Sequence, residues 1–299
     1  MPVYEQTYQH YYGQLNPRSQ TWMVITSMGI RQLWKEKMLK PIFYFSLLPV
    51  LLWTGRIYIS ANADLLEWLQ IPSQVIAEVF TVDEEFFYNF LKVQQFFVFL
   101  LTLRTGSDII ASDRRHKALI LYLSKPLSKV DYLFGKAMIL MFYLYLITLI
   151  PAWLMMFLNA LFTENWSYLI ENIPLALQIF LFSHILIVPL VFIILGLSAS
   201  TKSWATSAAL LAVVYFLPPL IVEILNGIFR STFGSLFNFD YWRSLLTLHS
   251  IWEKLGATIF HQATDIELSW FWHLMMLVLI CGFFSWLLHR KIQAVEVVS

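Results

Sequence analysis

Five stretches of this chain, Pro41 to Ile59, Ala137 to Phe162, Ile173 to Ala199, Ala205 to Ile228 and Trp270 to Leu288, are each 19 to 27 residues long and predominantly apolar. A hydrocarbon layer roughly 30 Å thick is crossed by about 20 residues rising about 1.5 Å each. No water inside the layer satisfies the backbone, so the segment that crosses it must be helical or part of a closed barrel. The alternating segments of about ten residues that mark a barrel are not seen, so the runs predict helices. A sixth, weaker run extends from Phe86 to Leu103, carries Lys92, Gln94 and Gln95, and can continue through Ile109 and Ile110. Counting it gives six spans and an all-α integral membrane protein.

Composition agrees. Of 299 residues, 59% are hydrophobic and 13% charged, about half the charge of a typical soluble domain. The net charge of +1 excludes a strongly basic nucleic-acid binder. The single Cys281 lies in the last apolar run, so an internal disulfide or a cysteine metal site is excluded and packing is its expected role. The first forty residues are polar and aromatic and lack the short apolar core of a cleavable signal, so the first span is expected to act as its own insertion signal.

Six spans place both termini on one side. Of the 20 Lys and Arg, the connections on that side hold all but Arg56, Lys92, Arg230, Arg243 and Lys254. The positive-inside rule then makes both termini cytoplasmic. Asp64, Glu67, Glu78, Asp83, Glu84 and Glu85 give the first outer connection an acidic character that agrees with this orientation. The longest outer connection, 229–269, stays apolar through much of Tyr241 to Phe260, which predicts short re-entrant or interfacial helices before the last span.

Residues 1–40 read as a cytoplasmic segment ahead of the six-span domain of 41–299. Within it Met23, Ile30, Trp34 and Met38 recur at helical spacing with Arg31 and Lys35 on another face. That pattern predicts a cytoplasmic amphipathic helix lying in the membrane interface before the first span, against lipid and its anionic headgroups. The inner connection 104–136 is dense in charge. Ser128 followed by Asp131 fits a capping box, so a helix should start there and run into the third span, with Pro126 breaking the chain just before it. A short helix is expected around Asp108 to Leu121. Asp113, Arg114, Arg115 and Lys117 supply charge for docking a partner, with Ile109, Ile110 and Leu119 as an apolar face; alternatively these arginines serve topology alone.

The string Ser112-Asp113-Arg114-Arg115, leading to Leu121-Tyr122-Leu123-Ser124-Lys125-Pro126-Leu127-Ser128 and then Asp131-Tyr132-Leu133 and Gly135-Lys136, resembles the ABC-2 type permease family. The resemblance extends over the chain: the amphipathic lead-in, six spans, the long inner connection 104–136 and the outer region 229–269. It implies a subunit of an ATP-binding cassette transporter, an exporter, in a bacterial inner membrane. It implies a separate ABC ATPase subunit that binds the ATP and docks on the first helix and the inner connection, at Arg31, Lys35, Asp108, Asp113, Arg114, Arg115 and Lys117. A second permease copy or a paralogue would complete the pathway, and the outer region leaves room for extracytoplasmic accessory proteins. No substrate follows from the residues.

Catalytic patterns are lacking. Gly135-Lys136 is followed by Ala137 and no G-x-x-x-x-G-K-[ST] occurs, so no P-loop is encoded; nor are H-E-x-x-H or G-x-S-x-G present. The chain is therefore expected to bind no cofactor itself and to carry out no chemistry. His184 and His273 have no second ligand at helical spacing and are expected to hydrogen-bond between helices. Glu223, after Pro218-Pro219 in the fifth span, is a candidate pathway residue if the prolines break the helix beside a cavity, and otherwise an interfacial glutamate. Lys92 reads as a side chain reaching the outer headgroups. Two further readings stay open: a structural membrane subunit that anchors a peripheral protein, and a gradient-driven secondary transporter, although Glu223 is nearly alone as an intramembrane charge.

Overall fold

The computed structural model describes residues 21–62, 80–118, 128–233 and 240–292, without the side chains of 229–233 and 240–242. Residues 1–20 of the N-terminal segment and 119–127 of the inner connection lie outside the described residues. The helices, in chain order, are α1 (Thr21–Trp34), α2 (Leu39–Ala61), α3 (Glu84–Gly106), α4 (Ala111–Arg115), α5 (Lys129–Ile147), α6 (Leu149–Phe162), α7 (Ser167–Glu171), α8 (Ile173–Ser200), α9 (Trp204–Phe233), α10 (Asp240–Leu246), α11 (Leu248–Ile259) and α12 (Trp270–Lys291). No strand occurs among the described residues. Six stretches are long and apolar enough to cross a membrane: α2, α3 with α4, α5 with α6, α8, α9 up to Ile228, and α12.

α8 is the axis of the bundle. Its buried side includes Ile179, Phe182, Leu186, Ile187, Leu190, Ile193 and Ile194, and it packs on α3, α5, α9, α11 and α12. A mostly apolar helix buried nearly all round is what such a central position requires. α2, α9 and α12 lie outside it, with 22%, 17% and 22% of their most apolar windows buried against 67% for α8. Their remaining apolar side chains, such as Phe45, Leu51, Phe216, Leu220, Val278 and Phe283, are exposed, a surface that only lipid or another protein can cover.

Two local findings depart from the sequence-based expectations, and a third decides between open alternatives. The third span is two helices that meet at buried Thr148. Pro151 has no N–H to give the Ile147 carbonyl and crowds it, so the ladder breaks and restarts with proline in the first turn of α6. Thr148 turns its own hydroxyl back to the Leu144 carbonyl at 2.8 Å. Conversely, α9 continues through Pro218 and Pro219. A proline φ near −65° is compatible with helix, and the lost hydrogen bonds alone do not end it. Finally, His184 and His273 bond carbonyls of their own helices, Phe180 at 2.9 Å and Ser269 at 3.0 Å, and not a neighbouring helix. A carbonyl one turn back is the nearest acceptor to a histidine ring on a helix.

Buried polar groups tie the helices. Gln94, fully buried on α3, donates to the Ser46 carbonyl of α2 at 3.0 Å, where Pro49 disturbs the backbone ladder. At the opposite end from α4, α10 and α11 form a pair whose joint is capped by Thr247. Its oxygen accepts the Ser250 N–H at 3.4 Å. Leu248, Ile251, Trp252, Leu255 and Gly256 make the buried face of α11. Trp252 Nε1 donates to the Ile185 carbonyl at 3.0 Å, and the Tyr88 hydroxyl donates to the Glu253 carbonyl at 3.1 Å. Ile185 is twelve residues into the 28 of α8, roughly 18 Å from its start, so α11 runs beside the first half of α8. Gly256 permits this approach, since a Cβ there would stand 2.6 Å from atoms of Phe182 and Tyr88.

Candidate coupling end of the bundle

The residues singled out for partner docking fall at the end of the bundle where α1, α4 and the start of α5 meet. α1 is fixed first. Its face Trp22, Ile25, Thr26, Gly29, Ile30 and Leu33 repeats every three or four residues and lies half-buried along α5. A Cβ on Gly29 would stand 2.1 Å from Ile139 Cδ1, so the two helices meet closely there. Thr26 Oγ1 donates to the Gly135 carbonyl at 3.2 Å and the Tyr143 hydroxyl to the Ile30 carbonyl at 2.7 Å. Met23, Val24, Met28, Arg31 and Lys35 are left exposed. Of the apolar stripe expected for this helix, Ile30 packs inward, whereas Met23 and Met38 point out. Just beyond α1, Glu36 forms an ion pair with Arg104 at the end of α3.

α4 is held more tightly. The α3 helix stops at Gly106, and the turn that follows presents the N–H groups of Ile110 and Ala111 to Ser198 Oγ at 3.1 and 3.0 Å. The same hydroxyl donates to the Ser107 carbonyl at 3.0 Å, so one fully buried oxygen on α8 satisfies three backbone groups of the turn. Arg114 Nη1 donates to the Ala199 carbonyl, one of the orphan carbonyls at the end of α8, where the helix dipole also favours a cation. Asp113 accepts from Lys136 Nζ at 2.8 Å and from the Tyr132 hydroxyl at 2.6 Å, joining α4 to α5. At the head of α5, Ser128 Oγ accepts the Asp131 N–H at 3.0 Å and its hydroxyl donates to the Asp131 carboxylate at 2.6 Å. The helix therefore starts at the predicted cap, with the carboxylate closing on the serine hydroxyl.

The seven candidate docking residues thus divide. Asp113 and Arg114 are part-buried and engaged within the chain. Arg31, Lys35, Arg115 and Lys117 are exposed, and Arg115 is only loosely paired with the half-buried Asp108 at 3.6 Å. Lys117 has φ 56°, the left-handed conformation that terminates a helix and is ordinarily taken by glycine. Glu223 lies at the other end of the bundle, exposed and 3.5 Å from Arg243. The sequence reading missed Ser198, Lys136, Tyr132, Glu36 and Arg104 as members of this constellation. Their partners are remote along the chain, and a serine in an apolar run carries no visible mark of such a role.

A family model described as ABC-2 family transporter protein matches residues 9–284. No curated protein matches the chain.

Proposed function

The chain belongs to the ABC-2 family of transporter proteins, and on that premise we propose that it is the permease subunit of an ATP-driven exporter whose ATP is bound and hydrolysed by a separate ATPase subunit. In this reading the end bearing α1 and α4 is cytoplasmic, as its basic residues require under the positive-inside rule. The ATPase docks on the exposed side of α1, at Arg31 and Lys35, and on Arg115 and Lys117 at the close of α4. Asp108, Asp113 and Arg114 support that surface from behind. The observation that carries the proposal is the attachment of α4 to the end of α8 through Ser198 and Arg114. A push on α4 reaches the axis of the bundle without an intervening flexible joint, and α8 passes it to α12, with which it shares its longest contact. A second copy or a paralogue covers the exposed apolar sides of α2, α9 or α12. Glu223 is assigned to an outer interfacial ion pair with Arg243, since both side chains are more than half exposed.

Cross-linking tests the docking surface. With Cys281 changed to serine and a single cysteine placed at Lys117, a short bifunctional reagent should join the chain to a nucleotide-binding subunit in native membranes, and ATP should alter the yield. A product with some other peripheral protein, or none, would favour the structural-anchor reading.

A further inference from the structure

At the end of the bundle opposite α4, a cavity of about 510 Å³ opens between α10, α11 and residues 264–268. Its size is in the range of pockets that hold small ligands. Its lining is polar and carries both signs: Arg243 on one wall, Glu253 and His249 on α11, and Asp265 and Glu267 in the segment ahead of α12. The resident pairings are loose. Arg243 stands 3.5 Å from Glu223, with 55% and 66% of the side chains exposed, and Glu253 stands 3.9 Å from Lys92 of α3. Lys254, next in sequence, donates to the carbonyl of Ile266 on the cavity wall at 2.6 Å. Nothing in these pairings fills the cavity, and surface pairs of such geometry contribute little to folding.

Two further observations give the cavity a place and a character. It lies at the level where α12 begins, and the exposed Trp270, Phe271 and Trp272 follow directly, as aromatic side chains do at a membrane interface. On α3, Lys92 reaches the same level through its pairing with Glu253, as expected of a side chain directed to the outer headgroups.

We propose that this cavity is a binding site for a zwitterionic phosphate-bearing headgroup. Glu253 and Asp265 receive its ammonium group, Arg243 faces its phosphate, and the apolar remainder lies along Trp270 to Trp272. Asp265 is exposed on the cavity wall while Arg243 is already shared with Glu223, so the ammonium is the principal determinant of recognition. The site stands whether or not the chain is driven by ATP, because it rests on the far end of the bundle alone.

The test uses the full chain in nonionic detergent and dihexanoyl phosphatidylethanolamine as probe, with binding followed by native mass spectrometry and calorimetry. One saturable site is expected. Dihexanoyl phosphatidylglycerol, which lacks the ammonium, should bind about tenfold more weakly, and Asp265→Asn and Glu253→Gln should each weaken the ethanolamine lipid about tenfold, the loss expected for one charge-assisted hydrogen bond. Asp265 is exposed in a connecting segment, so that variant should fold normally. O-phosphoethanolamine distinguishes the sources: competition supports a site for a soluble zwitterion, and binding without competition supports a lipid. Absence of saturable binding, equal affinity for the glycerol lipid, or unchanged affinity in Asp265→Asn would overturn the assignment.

Discussion

Arg114 and Arg115 are adjacent but do different work. Arg114 is committed to the Ala199 carbonyl, while Arg115 and Lys117 face outward. Arg114→Ala should therefore loosen α4 by about 2 kcal/mol, the usual contribution of a hydrogen bond from a charged donor, measured as a lower unfolding midpoint in detergent. Reversing Arg115 and Lys117 to glutamate should leave that midpoint unchanged and weaken ATPase association. Lys117→Gly separates charge from backbone: it relieves a left-handed conformation costing a non-glycine residue about 1 kcal/mol, so it should raise the midpoint slightly while still weakening association. A midpoint that falls in Lys117→Gly would show that the side chain has a structural role. The arginine pair was visible in the sequence, but its division of labour was not, because Ala199 is 85 residues away.

At the scale of elements, the joint between α4 and α8 depends on one hydroxyl. Ser198→Ala leaves the N–H groups of Ile110 and Ala111 without their acceptor in a buried turn, at a cost of roughly 2 kcal/mol. Hydrogen exchange at those two amides should quicken while α5 and α12 stay protected. Exchange unchanged at Ile110 and Ala111 would show that the joint does not depend on Ser198. At the opposite end, Gly256→Val should force α11 off Phe182 and Tyr88 and break the Trp252 hydrogen bond to Ile185, with a cost of about 1–3 kcal/mol for overpacking; a red shift of tryptophan emission would report it. Element boundaries were legible where chemistry marks them, as at Ser128. They were not legible where proline has two outcomes: Pro151 divides a span that reads as one run, whereas Pro218 and Pro219, whose effect the sequence left open, are carried within one.

For the whole molecule, the apolar runs specified the number of helices long enough to cross, because the absence of water to satisfy the backbone leaves no alternative to helix there. Packing around α8 was not legible, since a uniformly apolar helix gives no sign of which side meets α3, α5 or α12. The constellation at the coupling end was half legible: its charges were, and the long-range contacts that bury some and free others were not. Purification of the chain with its native neighbours in mild detergent, followed by measurement of ATP hydrolysis, tests the permease reading most directly. A nucleotide-binding subunit should co-purify and hydrolyse ATP, and the Arg115→Glu, Lys117→Glu variant should lose that subunit while remaining folded. Isolation of the intact chain with no nucleotide-binding subunit and no ATP hydrolysis would contradict the account.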